Sequence, residues 1–560
     1  MKAKGSDPAV RQSCISSSAF RRTRQHVLTM SIAGALHVGM ICSASAQLFP
    51  AKIDLDTLGG NSGFRLAGEA IEDQAGVSVG AAGDFNGDGI DDLIVGARYA
   101  DSGSLVDAGK CYVVFGSDGG LPETLGLSQL NGQNGLIINA EAAGDQLCLS
   151  SGAAGDINDD GISDVILSAF KSDVNGEDSG RSYVVFGSDA PFSNPFEMSS
   201  INGLNGIAFN GVAQGDQSGR SVSSAGDING DGIDDLIIGA DRADPGGNTS
   251  AGASYVVFGS DQGLGNPFAL SGLNGLNGFV LLGIEAESRS GRPVSAAGDL
   301  NGDGLDDLVV AAHTSSVGPK AEAGRSYVIY GRDSAFPNPF DLATINGSNG
   351  VVLNGESAGD LSGASASAAG DVNGDGIGDL ILGAPFAQAN GQASAGRSYV
   401  VFGQAGGLVH PFELSSIDGL NGFVMDGEAQ EDLSGYAVDS AGDINGDGID
   451  DVIVGAPLAD PDGSIEAGRS YVVFGRSDRP PNPLSLSSLD GSNGFVLDGA
   501  GGGHLAGRSV GRAGDINGDQ VDDLVIGASS AGSFLTPELG YIYVLFGRGD
   551  RIFTDRFSND

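Results

Sequence analysis

Apolar positions in this chain fall into short runs rather than long periodic stretches. The sequence Asp-Leu-Ile-Ile-Gly-Ala at 235–240 is representative, with β-branched residues at its centre and Gly, Asp and Asn on its N-terminal side. A run of this length and composition predicts a buried strand. A second kind of run, aromatic and β-branched, occurs at 112–116, 183–187, 255–259, 327–331, 399–403, 471–475 and 543–547. A third ends in strands such as Gly-Phe-Val-Met at 422–425, and a fourth, Gly-Arg-Ser-Val-Ser at 219–223, precedes the first kind. No stretch carries a convincing helical period, so four strands per unit are expected.

These units repeat. The aspartate that opens the turn before the buried run is Asp84, Asp156, Asp227, Asp299, Asp371, Asp443 and Asp515, in steps of 72 residues with one of 71. Such spacing marks an internal repeat, which takes precedence over any domain count drawn from the length of 560 residues. Seven four-stranded units fit an all-β, seven-bladed β-propeller, whose radial closure leaves only short edges. The strand near 63–66 has no loop of its own before it, and the unit ending at 547 lacks its last strand. The N-terminal strand is therefore expected to pair into the last blade and close the ring.

Each turn reads Asp-x-Asn-x-Asp-Gly-x-x-Asp, which places hard oxygens at positions 1, 3, 5 and 9. Position 1 is the aspartate already named. Position 3 is Asn86, Asn158, Asn229, Asn301, Asn373, Asn445 or Asn517, and position 5 is Asp88, Asp160, Asp231, Asp303, Asp375, Asp447 or Asp519. Asp92, Asp164, Asp235, Asp307, Asp379, Asp451 and Asp523 stand at position 9. Ile90, Ile162, Ile233, Leu305, Ile377, Ile449 and Val521 at position 7 can each add a backbone carbonyl. Hard oxygen ligands at this spacing suit calcium, up to seven ions in all. The competing reading is a turn whose carboxylates cap its own amides. Gln520 replaces the position-6 glycine in the last loop, where a left-handed backbone costs on the order of 1 kcal/mol, so that site is expected to be the weakest. Asp159 at position 4 of the second loop adds charge and leaves the ligands intact.

Charge narrows the partners. The net charge of −44 argues against nucleic acid, which needs a basic footprint. The loops hold 27 of the 72 acidic residues, so bound divalent ions would offset part of that charge. Residues 1–46 read as a secretory signal, with Arg21, Arg22 and Arg24 before an apolar stretch and Ala-Ser-Ala at 44–46. The Arg21-Arg22 pair leaves the twin-arginine route open. No later stretch is long and apolar enough to span a bilayer. The expected location is therefore secreted, cell-surface or periplasmic, with a propeller over 47–547 and a polar tail over 548–560.

With its seven in-phase loops, its Gly-Ala-Pro at 383–385 and 455–457, and its Tyr-Val-Val-Phe-Gly strands, the chain resembles the FG-GAP repeats of the integrin α-subunit propeller. The other Gly-Ala-Pro slots are degenerate, as in Gly-Ala-Arg at 96–98. The resemblance implies calcium loops on one face and ligand contacts from loops on the opposite face, making 97–110, 240–252 and 456–468 candidate ligand loops. The stalk and membrane span of integrin α-subunits are not found, so a heterodimeric receptor is not implied.

Other motifs carry less. Cys111 and Cys148 remain after the signal, either as a disulfide or as two small hydrophobes. The Gly-x-Ser-x-Gly matches at 76–80 and 507–511 sit in the inner-strand slot without the strand-to-helix turn of a hydrolase. Three histidines beyond the signal, His313, His410 and His504, lie in different units and offer no cluster. Arg-Gly-Asp at 548–550 is nearly written by the repeat itself, and Asn248 and Asn346 are possible glycan acceptors. The function expected is an adhesion or ligand-binding module for a surface protein or glycan. An enzyme on the same scaffold, such as a polysaccharide lyase or hydrolase, and a structural envelope or matrix component are the alternatives.

Overall fold

The computed structural model describes residues 49–529 and 539–549. The expected signal segment, residues 1–46, lies outside the described residues, as does the tail beyond 549. The rest forms seven sheets arranged as the blades of a propeller. The third blade is typical, with strands Ser221–Gly226, Asp235–Ala240, Ala253–Val257 and Gly278–Leu282 in antiparallel order. Its second strand, the apolar run of the sequence, is buried along its whole length.

Each blade carries a fifth, short strand that the sequence pattern does not reveal. In the third blade it is Phe340–Asp341, which comes from the following repeat and runs parallel to Gly278–Leu282. With two paired residues, such a strand is too short to show alternation. A turn of 3-10 helix follows it and buries one apolar side chain, Leu342 in this copy.

Closure follows the expected route and extends it. The strand Gly63–Ile71 pairs antiparallel with Leu539–Leu545, Gly63 opposite Leu545 and Ala67 opposite Tyr541, so an N-terminal strand completes the seventh blade. Lys52–Asp54 adds the fifth strand of the sixth blade by pairing with Gly494–Asp498. The segment 52–71 is thus built into two successive blades.

The hydrophobic core is a ring of layers between blades rather than one centre. Side chains of the second and third blades meet in one layer, around Phe209, Ile166 and Ile238, and six further layers repeat this around the axis. Among the described residues no helix is long and apolar enough to cross a membrane.

Candidate metal centre

Antiparallel order puts the turns after the first and third strands on one face, and those after the second and fourth on the other. All seven Asp turns therefore share one face. In every copy the position-1 carboxylate folds back into its own turn. Asp227 accepts the N–H of Asp231 at 3.0 Å and of Gly232 at 2.8 Å, and Asp84, Asp156, Asp299, Asp371, Asp443 and Asp515 do the same. The position-5 carboxylate accepts the N–H of residue 7, as Asp231 does from Ile233 at 3.0 Å.

The position-9 aspartate is buried and anchored by protein donors. Asp235 accepts the Gly259 N–H at 2.9 Å and the Asn229 Nδ2 at 3.1 Å. The same glycine bond is made to Asp92, Asp164, Asp307, Asp379, Asp451 and Asp523. This explains the glycine that ends each aromatic strand: a Cβ on Gly259 would stand 2.3 Å from the carbonyl oxygen of Asp234. Burial, opposed by the Gly259 N–H and reinforced by the carboxylates of Asp231 and Asp227, pushes Asp235 up to about 8. Asp92, Asp164, Asp307, Asp379 and Asp523 are pushed to the same value, and Asp451 well above the ordinary carboxylate range.

Among the described residues no three His, Cys, Asp or Glu side chains stand together as a metal-holding group. The chemistry of the donor set nevertheless fits a hard cation. In the third-blade turn the carboxylates at positions 1 and 5 raise the one at position 9, with no cationic side chain among the causes for Asp235. An asparagine that donates through Nδ2 keeps its Oδ1 free to accept. Position 6 is left-handed in each turn, φ 89° at Gly232 and 68° at Gln520, as the departure at Gln520 requires. Position 4 is left-handed as well, and Asp159 there has φ 59°.

Position 8, which is not among the expected ligands, links the turns. Asp306 reaches back to accept the N–H of Asp227 in the preceding blade at 3.0 Å. Asp234, Asp450 and Asp522 do likewise, and Asp91 caps Asp515 across the closure. The paired Asp-Asp at the end of most turns is the sequence signal, interrupted at Ser163 and Gly378.

The opposite face holds the expected ligand loops. In 240–252 and 456–468 the acids partly serve the loop itself, since Asp244 accepts the Ser250 N–H at 2.7 Å and Asp460 that of Glu466 at 2.7 Å. The same face carries ion pairs absent from the sequence reading, among them Arg397 with Glu356 at 2.8 Å and with Asp426 at 2.7 Å. Cys111 and Cys148 form a disulfide, Cα to Cα 5.7 Å, that joins the first blade to the second. Ser78 lies 3.1 Å from the Ser151 hydroxyl, and Ser509 donates to the Gly76 carbonyl at 2.8 Å, so the Gly-x-Ser-x-Gly serines link blades. Arg548 lies over the Phe49 ring, and Asp550 is outside the described residues.

The FG-GAP repeat family matches residues 75–114, 218–257, 293–329, 362–401, 434–473 and 506–545. These spans fall on six of the seven blades. This is an FG-GAP repeat protein. The blade outside the matches is the second, where Cys148 and Asp159 replace repeat glycines. The FG-GAP chain is similar to integrin alpha-5 of Xenopus laevis, 30% identical over 246 residues, which is 42% of this chain and 20% of the relative. Integrin alpha pat-2 of Caenorhabditis elegans is 30% identical over 245 residues, 43% of this chain and 18% of the relative. Phosphatidylinositol-glycan-specific phospholipase D of Rattus norvegicus is 35% identical over 198 residues, 35% of this chain and 22% of the relative. The FG-GAP chain thus spans about a fifth of the length of these relatives.

Proposed function

We propose that this FG-GAP propeller is a calcium-braced ligand-binding module that works outside the cytoplasm. One observation carries the reading: all seven oxygen-rich turns lie on one face, which leaves the opposite face, with its divergent loops, for a partner. Similarity to integrin α chains supports a surface protein or glycan as that partner and a secreted or surface location. In each turn the side-chain oxygens at positions 1, 3, 5 and 9 and the carbonyl at position 7 would hold the ion. The backbone bonds to the position-9 carboxylate would keep it in place. A bound divalent cation would supply the positive charge that three adjacent carboxylates lack. Binding only to the folded form, it would stabilise the ring by mass action.

The test uses the full chain on an array of matrix proteins and glycans, once in calcium and once in EDTA. Saturable binding in calcium that maps to 97–110, 240–252 or 456–468 is the expected result. Calcium at 100 times its Kd adds about 2.7 kcal/mol per site, so EDTA should lower the melting temperature by several degrees. An unchanged melting temperature and no bound metal would refute the calcium reading. The similarity to a phospholipase D supports a second reading, in which the propeller serves an enzyme. Hydrolysis of a phospholipid or polysaccharide by the purified chain would favour it.

A further inference from the structure

In a chain of net charge −44, four arginines that make no ion pair among the described residues gather at one end of the propeller axis. Arg220, Arg292 and Arg508 each directly follow the glycine that leads into an inner strand, in the third, fourth and seventh blades. Arg98 directly follows the second strand of the first blade, Asp92–Ala97. All four positions lie on the face away from the Asp turns, where the seven inner strands begin around the axis. None of the four enters an ion pair among the described residues.

The charges of the four act on one another. Burial, and then the Arg292 guanidinium, push Arg220 down to about 10, with Arg98 and Arg242 adding to the effect. Burial chiefly lowers Arg98, with Arg508 of the neighbouring seventh blade acting in the same direction. Asp241 is the one carboxylate acting on Arg220, and a single charge does not balance four. His313 beside Arg292 is held neutral, pushed down to about 4 by burial. Arg98 donates its Nε to Gln74 and stacks on Tyr99 at 4.6 Å, and Arg220 stacks on Phe170 at 4.9 Å, so the forks are positioned by neutral groups.

Two aromatic rings stand exposed at the same end. Phe386 is 46% and Tyr436 41% exposed. They flank one junction, where a Cβ on Gly383 of the fifth blade would touch the Gly435 carbonyl of the sixth at 2.0 Å. Guanidinium forks match a carboxylate or sulfate with two parallel hydrogen bonds, and an exposed ring offers a flat apolar face to the C–H side of a sugar. A long polyanion would be repelled by the rest of the molecule, whereas a short ligand with one acidic group would meet only the arginines within a Debye length of about 8 Å.

We propose that the axial mouth between Arg98, Arg220, Arg292 and Arg508 binds the acidic group of a short uronic-acid or sulfated saccharide. This rests on the ligand-binding reading above and names the site and ligand class for it. The opening of the axis itself, rather than the flanking loops, then supplies the charge that selects the ligand.

Calorimetry of the full chain in calcium tests it, with a trisaccharide carrying one galacturonate, its methyl ester and a monosulfated trisaccharide as probes. Binding of either acidic saccharide at least tenfold tighter than the ester is expected. Arg98→Gln should weaken it at least tenfold while leaving the melting temperature unchanged or higher, because one member of a like-charged group is removed. Arg220→Gln, at a different blade, should give the same loss and guards against misfolding of the first variant. Equal affinity for the ester, or full affinity in both variants, overturns the proposal. Binding of pentaglutamate in place of either saccharide overturns the ligand class. Silence of every anion beside an array hit on the outer loops sinks this inference and spares the ligand-binding reading.

Discussion

Gly226 and Gly298 occupy the same repeat position and share a left-handed backbone, with φ 61° and 65°, but differ in what stands before them. A Cβ on Gly226 would lie 2.2 Å from the Asp306 carboxylate, whereas one on Gly298 meets nothing within 4 Å, because Gly378 replaces the aspartate in the next blade. Gly298→Ala should therefore cost only the backbone strain, about 1 kcal/mol. Gly226→Ala should cost measurably more in urea unfolding, since it also displaces the cap on Asp227. Charge state gives a second residue-scale test at Asp432, which accepts the Ala429 N–H and is raised to about 6 chiefly by burial. A carboxyl raised in the fold contributes stability below its unfolded value near 4, and that contribution is lost as pH rises through 6. Asp432→Asn should therefore melt higher than the parent at pH 8, by about a degree or two, and no higher at pH 4. The residues of the Asp turns were legible because the same letters recur in phase. The bonds of positions 8 and 9 were not, because their partners lie in another blade or at the end of a distant strand.

Strands and junctions show the same division. Four strands per blade could be read from runs of five or six residues, and the fifth could not, since its two or three residues borrow their pattern from the preceding repeat's last strand. At five junctions a strand-three serine faces a glycine of the next blade, as Ser182 faces Gly219, where a Cβ would stand 2.7 Å from the hydroxyl. Cys111 and Cys148 occupy these same two slots at the junction of the first and second blades. A sequence showing only two cysteines left their pairing open, and the repeat register supplies the missing proximity. The double variant Cys111→Ser, Cys148→Gly restores the common arrangement. It should still fold, with a loss of about 3 kcal/mol from releasing the loop, read by guanidinium unfolding.

For the whole molecule, closure depends on the first described residues. Phe49, Leu55, Leu58, Phe64 and Leu66 are all buried in the sixth and seventh blades or between the seventh and first. Clipping residues 49–69 removes these side chains, uncovers the core they pack against and leaves Leu539–Leu545 with one unpaired edge. At roughly 2 kcal/mol per side chain the loss is on the order of 10 kcal/mol, comparable to the stability of a domain. The clipped chain should melt far lower and without a single cooperative transition in calorimetry. Equal melting would contradict a ring held shut by this segment. That the N-terminal strand closes the ring was legible from a count of strands at the two ends. That the same segment also enters the sixth blade was not, because Lys52–Asp54 is a rim strand of three residues.

The pairing of Gly63–Ile71 with Leu539–Leu545 also sets a clock. Its two strands are separated by roughly 470 residues, so at 5–20 residues per second the first leaves the ribosome roughly half a minute or more before the second. During that interval a nine-residue strand with buried-type side chains lacks its antiparallel partner and has only the three-residue rim strand Thr124–Gly126 to join. Synthesis of this ring is therefore a wait in which its first strand needs protection, and the final repeat is the event that ends it.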